Sequence, residues 1–317
     1  MRSGHGKLSL RGFVAHRARY FQADIARMDG MASTQQDYPV LSVIIPTVDG
    51  FREGYFPRLL EQLKEQTFQE FETIIIKGDP SQGRAINTGA DLARGRYLLT
   101  LDDDTRLGHR KLFQVLVDTL DRYPDIGMAG VPNLIPDDAP WLVKRVMAEI
   151  PRRTSPMVTK IIDSDLAEHP CLIMRKELFC RVGGENELIP RGLDPYLRHQ
   201  FRAKGYRVVV VPGVWIHHLP PSRLSRLLKQ FFRNGKGAAY CNKFHPEWVY
   251  EQATTHTTPE QMQRKLSHRI ARQFLKLGHA LVRFHWLYLS TQISYILGFA
   301  VGLMVLRKAP NGINLAL

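Results

Sequence analysis

The sequence predicts an α/β protein: a mostly parallel sheet sandwiched between helices, followed by a basic helical region. Three observations predict it. Short apolar runs alternate with segments of helical periodicity between residues 41 and 122. Pro, Gly or Asp punctuates the end of each run. Beyond about residue 220, amphipathic segments rich in Lys and Arg lead into one long uncharged stretch.

The elements follow in order. LSVIIP at 41–46 is a continuous apolar run closed by Pro46, the pattern of a buried strand. Phe56, Leu59, Leu60 and Leu63 recur at helical spacing. FETIII at 71–76 reads as a second strand, punctuated by Lys-Gly-Asp-Pro; a helix near 83–94 and a third strand, RYLLTL at 96–101, follow. Strand, helix, strand, helix, strand implies parallel strands joined by right-handed crossovers. Ligands of such sheets bind beyond the carboxyl ends of the strands. A helix at about 109–122 and a strand at 126–131 come next. A proline-rich stretch with Pro132, Pro136 and Pro140 precedes further strand or strand–helix pieces at 170–182 and 206–212.

The chain has 317 residues, 44% of them hydrophobic, enough for one substantial domain and an appendage. Cys171, Cys180 and Cys241 are too few and scattered for a disulfide framework or a zinc site. The formal charge of +14 favours anionic partners. It is concentrated: from Arg198 to Lys308, eighteen Lys and Arg face three acids, Glu247, Glu251 and Glu260. The remainder is nearly neutral, which divides the chain into a part that does chemistry and a part that sits on something negative. The expected organisation is a basic leader at 1–36 without a secretory apolar run, a catalytic domain at 37–220 and a basic helical region at 221–317.

The third strand runs straight into Asp102-Asp103-Asp104. Three adjacent carboxylates repel one another, and a hard divalent cation is the natural compensation. On an extended segment Asp102 and Asp104 project to one side and Asp103 to the other. The metal pair is therefore expected to be Asp102 and Asp104, holding Mg²⁺ or Mn²⁺, with Asp103 turned to the donor sugar or ribose.

From Leu41 to His218 the sequence resembles the family 2 glycosyltransferases. The blocks that carry the resemblance are LSVIIPTVDG, FETIII with Gly78-Asp79, Asn87-Thr88-Gly89, Ala93-Arg94-Gly95-Arg96-Tyr97 leading into LTLDDD, Val182-Gly183-Gly184, Gly192-Leu193-Asp194, and Pro212 followed by His217-His218. The resemblance implies the GT-A fold and transfer of a sugar, with inversion, from a nucleotide-sugar donor such as a UDP-, GDP- or dTDP-sugar. It implies Thr47 and Asp79 at the base pocket, with Asn87 and Asp103 also on the donor side. It implies Asp102 and Asp104 on metal and diphosphate, and Asp194 as the base that deprotonates the acceptor. His218, with His217 as alternative, would complete the metal site. Arg84, on the helix after the second strand, would add a cation near the phosphates. There are departures: Leu193 stands where the family has Glu before its base, the loop after the second strand is short, and Gln230-Phe231-Phe232-Arg233 is followed by Asn234 rather than Trp. The last favours a single transfer over polymerisation.

The basic region places Leu224, Leu227, Leu228, Phe231 and Phe232 on one helical face and Arg223, Arg226, Lys229 and Arg233 mostly on the other. Residues 264–283 repeat the style, and 286–306 carry no charge, a length that just suffices to cross a bilayer. These features point to an anionic membrane surface, a lipid-linked acceptor and the cytoplasmic face of the cell membrane. A nucleic-acid partner is not expected, since the basic region ends in an apolar run and has no recognition module. Two rivals to the transferase are a sugar nucleotidyltransferase, which needs a glycine-rich basic loop that PTVDGFREG does not supply, and a catalytically silent scaffold.

Overall fold

The computed structural model describes residues 38–257 and 266–308. The leader expected at 1–36 lies outside them. The first half alternates as the apolar pattern requires: β1 (Leu41–Thr47), α1 (Tyr55–Lys64), β2 (Phe71–Lys77), α2 (Gln82–Leu92), β3 (Tyr97–Leu101). A two-residue turn leads to β4 (Thr105–Leu107), then α3 (Leu112–Arg122), β5 (Ile126–Gly130) and α4 (Trp141–Glu149). Next come β6 (Ile162–Asp163), β7 (Cys171–Arg175), α5 (Lys176–Arg181), α6 (Leu193–Ala203), β8 (Arg207–Val210) and β9 (Ile216–His218). The basic region forms α7 (Leu224–Phe244), α8 (Leu266–Val282) and α9 (Trp286–Val305).

Seven strands form one sheet in the order β2-β1-β3-β7-β5-β8-β6. β1 pairs in parallel with β2 and β3, and β5 with β8, as the alternation with helices predicts. Two strands are exceptions: β7 runs antiparallel between β3 and β5, and the two-residue β6 runs antiparallel to β8 at the edge. Residues 170–182 showed strand character in the sequence, but direction and neighbours are set by long-range pairing. Pro46, with no N–H to give a ladder, lies beyond Leu41–Ile44, the stretch of β1 paired with β3.

Both faces of the sheet are covered. Leu41, Val43 and Ile45 pack with Leu59 and Leu63 of α1 and Leu116 and Leu120 of α3. Ile44, pointing the other way, packs with Ile86 of α2, Phe179 of α5 and Phe201 of α6. α2 comes so close that a Cβ on Gly89 would lie 2.4 Å from Ile44 Cγ2. Because both faces are buried, the strands read as unbroken apolar runs rather than alternations.

β4 and β9 form a separate two-stranded ribbon in which Thr105 is paired with His218. This small pairing, across more than a hundred residues, positions the site.

Candidate active site

Thr47, Asp79 and Asp102 follow or end the neighbouring strands β1, β2 and β3, at the carboxyl edge of the parallel part of the sheet. Asp102 and Asp104 converge there, but not because the segment is extended. β3 has ended, and the Thr105 N–H donates to the Asp102 carbonyl at 3.0 Å, so a tight turn carries the three aspartates. Asp103 points elsewhere and accepts a hydrogen bond from Thr47 Oγ1 at 2.7 Å.

His218 arrives on β9. Its Nε2 lies 3.1 Å from Asp104 Oδ1 and 3.6 Å from Asp102 Oδ2. Donor atoms of the three side chains all lie within 4.8 Å of one another. His217 is outside this cluster. Alternation along β9 turns it to the opposite face, where its Nδ1 meets the Leu134 carbonyl at 2.7 Å. Asn133 fixes His218, accepting its backbone N–H on Oδ1 at 2.9 Å and giving its own amide to the Arg153 carbonyl.

Charge balance in the cluster is strongly perturbed. Burial pushes Asp102 up to about 6, with the Asp104 charge adding to the push and His218 opposing it, although 22% of the Asp102 side chain is open to solvent. Burial also opposes ionisation of Asp104, but His218 and Arg52 outweigh it and hold that carboxyl well below the usual range. Burial disfavours a charged His218, and the two aspartates overcome it and raise its pKa. Two carboxylates and an imidazole converging on one point suit Mg²⁺ or Mn²⁺. A cation held there would offset both the burial that opposes an ionised Asp102 and the repulsion from Asp104.

Two further side chains serve the cluster, and the sequence reading did not single them out. Gln82, first residue of α2, donates to Asp102 Oδ1 at 2.8 Å. Arg52 donates from Nε and Nη2 to Asp104 Oδ2 at 3.0 and 2.5 Å and lies 3.4 Å from Asp103. It sits in the turn after β1, where Gly50, Arg52, Glu53 and Gly54 all have positive φ. The two non-glycine residues are held in a conformation L side chains seldom adopt. The only signal in the sequence was an Arg placed just beyond the first strand.

The residues expected on the donor side make their contacts with one another and with neighbouring loops. Arg84 makes a two-point contact with Asp79, both distances being 2.7 Å, so each holds the other at the mouth of the turn after β2. Asp79 also accepts the Ser81 N–H. Asn87 clamps the loop before α6: its amide donates to the Glu185 carbonyl and Glu187 Oε1, and its Oδ1 accepts the Glu185 N–H. In this structure Asn87 shapes a loop.

Asp194 lies in the first turn of α6, behind Gly192, whose φ of +89° favours glycine. Its Oδ1 accepts the His169 backbone N–H at 2.8 Å and lies 3.9 Å from His169 Nε2. Burial opposes its ionisation, but charged His169 and Arg198 and that backbone N–H more than compensate, leaving its pKa lowered. His169 sits between Asp194 and the fully buried Glu185, whose Oε1 is 3.0 Å from Nε2, while Nδ1 meets Thr100 Oγ1. Leu193 packs with Ile189 and Cys241 of α7. Gln230 and Asn234 of α7 accept from Arg153 and Arg191 at 3.3 and 3.2 Å.

Comparison with known proteins bears on the fold and the family likeness. Residues 79–182 match the model of glycosyl transferase family 2. An uncharacterized glycosyltransferase of Haemophilus influenzae is 27% identical over 184 residues, covering 50% of this chain and 60% of that protein. The match thus spans about three fifths of that relative's length. The solved mannosyltransferase PcManGT from Pyrobaculum calidifontis, in complex with GDP-Man and Mn²⁺, superimposes with a TM-score of 0.53 at 15% identity, over 85% of this chain and 88% of that one. That likeness is one of fold, and the fold is the GT-A sandwich expected above. The ordered sequence blocks, the sheet that carries them and the match over residues 79–182 make this chain similar to glycosyl transferase family 2.

Proposed function

We propose that the chain transfers a sugar from a nucleoside-diphosphate sugar to an acceptor hydroxyl or phosphate, with inversion at the anomeric carbon. One observation carries the reading: Asp102, Asp104 and His218 converge at the carboxyl edge of the sheet, with Asp194 close enough for its charge to act on Asp102. Asp102, Asp104 and His218 would hold Mn²⁺ or Mg²⁺. Such a cation stabilises the charge that develops on a departing diphosphate.

The chain's own groups supply the rest. Asp194 is kept ionised by His169 and Arg198, so it can take the acceptor proton. The acceptor oxygen bonds to the anomeric carbon as the bond from that carbon to the diphosphate oxygen breaks, and the nucleoside diphosphate leaves with the electron pair. General-base assistance of this kind contributes roughly 10²–10⁴-fold. Direct displacement by the acceptor requires inversion. Thr47 orients Asp103 beneath the donor side, and the Asp79–Arg84 pair borders the space for the base.

The concentration of positive charge in residues 198–308 supports an acceptor carried on a lipid, met at the cytoplasmic face of the cell membrane and used in cell-surface glycan synthesis. The test is a donor screen by nucleoside-diphosphate release with Mn²⁺ or Mg²⁺, run beside Asp104→Asn and Asp194→Asn. Metal-dependent release that both variants reduce at least about a hundredfold is expected. Release that survives Asp104→Asn would overturn the metal assignment. A folded chain that releases nothing from any donor would favour a silent scaffold.

A further inference from the structure

α9 is the one helix among the described residues long and apolar enough to cross a membrane. Its packing argues against crossing. α9 lies beside α7 in parallel register: Ser294 Oγ donates to the Leu228 carbonyl, and Lys243 Nζ donates to the carbonyls of Leu303 and Leu306. Between these points the backbones nearly touch. A Cβ on Gly235 would lie 2.0 Å from the Tyr295 carbonyl oxygen, and one on Gly298 would lie 2.0 Å from that of Phe232. Small residues at such a seam allow close approach. A spanning α9 would draw α7 into the hydrocarbon with it, and α7 carries Arg226, Lys229, Arg233, Lys236 and Lys243 without an acid. Buried cations of that number are not tolerated there.

The opposite face of the pair is apolar and open. On α9, Leu297, Leu303 and Met304 are 57%, 43% and 75% exposed; on α8, Phe274, Leu275 and Val282 are 69%, 75% and 77% exposed. Trp286, 59% exposed, stands at the start of α9. Exposed apolar surface of this extent marks an interaction site. The exposed Lys229, Arg233 and Lys243 on α7 and Arg307 and Lys308 after α9 make its surroundings predominantly positive, while Arg226 is paired with Glu53.

We propose that α8 and α9 form a monotopic docking surface that lies flat in an anionic lipid leaflet, with the apolar face in the acyl boundary and the cations among the headgroups. α7 is then the layer between lipid and catalytic domain. Its other side holds the segment before the base, through Cys241 against Ile189 and Leu193 and through Asn234 with Arg191. A helix layer with a spacing of roughly 8–10 Å would then separate the lipid from the segment that precedes Asp194. The docking stands without the sugar-transfer reading; only its use in presenting a lipid-linked acceptor rests on it.

Flotation of the full chain with vesicles tests the docking and needs neither donor nor metal. Binding to phosphatidylcholine with phosphatidylglycerol, weakened by salt, is expected to exceed binding to phosphatidylcholine alone at least about tenfold. Leu275→Asp/Leu297→Asp should lower it by about as much, while circular dichroism and the thermal midpoint stay at wild-type values, because both side chains point to solvent. Bound protein should be released by alkaline carbonate. Resistance to carbonate would show a span and overturn the proposal. So would equal binding to both vesicle types, or no binding together with a dimer in sedimentation that the double substitution dissolves, which would make a second copy the occupant.

Discussion

Replacing Glu185 with Gln keeps the shape of a buried side chain and removes its charge. Glu185 Oε1 lies 3.0 Å from His169 Nε2, and both side chains are almost wholly shielded from solvent. Neither Glu185 carboxylate oxygen has a hydrogen-bond partner among the described residues, so its burial is balanced by the imidazolium charge. Burial disfavours a charged His169, but Glu185 and Asp194 outweigh it and lift the imidazole to about 9. A folded-state value raised above the ordinary 6.5 means that the folded chain holds the proton more tightly. The linked stabilisation is on the order of 3 kcal/mol. It is present in full below about pH 6.5 and is lost as pH rises through about 9. With an m-value of roughly 3 kcal/mol/M, that is about 1 M in urea midpoint. Urea unfolding in chelator, from about pH 6 to about pH 9.5, should show the wild type losing this increment across the window and Glu185→Gln losing only the smaller part that Asp194 sustains. His218 and other groups titrate in both proteins, so the difference between the two profiles isolates the pair. Parallel profiles would refute the reasoning.

Three other outcomes are expected. Arg52 occupies Asp104 Oδ2 with a guanidinium that is 43% exposed, a pairing of about 1 kcal/mol after screening. Arg52→Gln should therefore tighten Mn²⁺ binding about fivefold in a paramagnetic titration, and unchanged affinity would show that Arg52 does not compete with the cation. Asn133→Ala removes the acceptor of the His218 N–H and should weaken metal binding about 10–100-fold by calorimetry with the fold intact. Gly89→Ala would press a methyl to 2.4 Å from Ile44 Cγ2, and should cost about 1–3 kcal/mol in urea unfolding. An unaffected midpoint would mean that α2 moves off the sheet freely.

The fold was legible where burial dictates composition. β1, β2, β3 and β5 are covered on both faces, so their sequences are unbroken apolar runs, and α1 and α3 show their stripes because one face of each packs on the sheet. β4, β6 and β9 are two or three residues long, too short for any periodicity, and were not foreseen. α6 was missed as well, its start at Leu193-Asp194-Pro195 reading as a motif rather than as a first turn. In the site, the aspartates announced themselves by being adjacent after a strand. Arg52, Gln82, Asn133, His169 and Glu185 did not, because each acts on a partner between 16 and 85 residues away.

By itself, the sequence determined the alternation of strands and helices, the likeness to glycosyl transferase family 2, the carboxylate triplet at the edge of the sheet and the charge asymmetry of the two halves. Each is a property of local composition and order, which the chain carries before it folds. Only the tertiary structure decided that β7 runs against its neighbours, that His218 rather than His217 joins the aspartates, and that α9 is welded to a cationic helix along its length. Those outcomes depend on which side of a pleat or helix meets which distant segment, and pairing of that kind leaves no periodic trace in either partner.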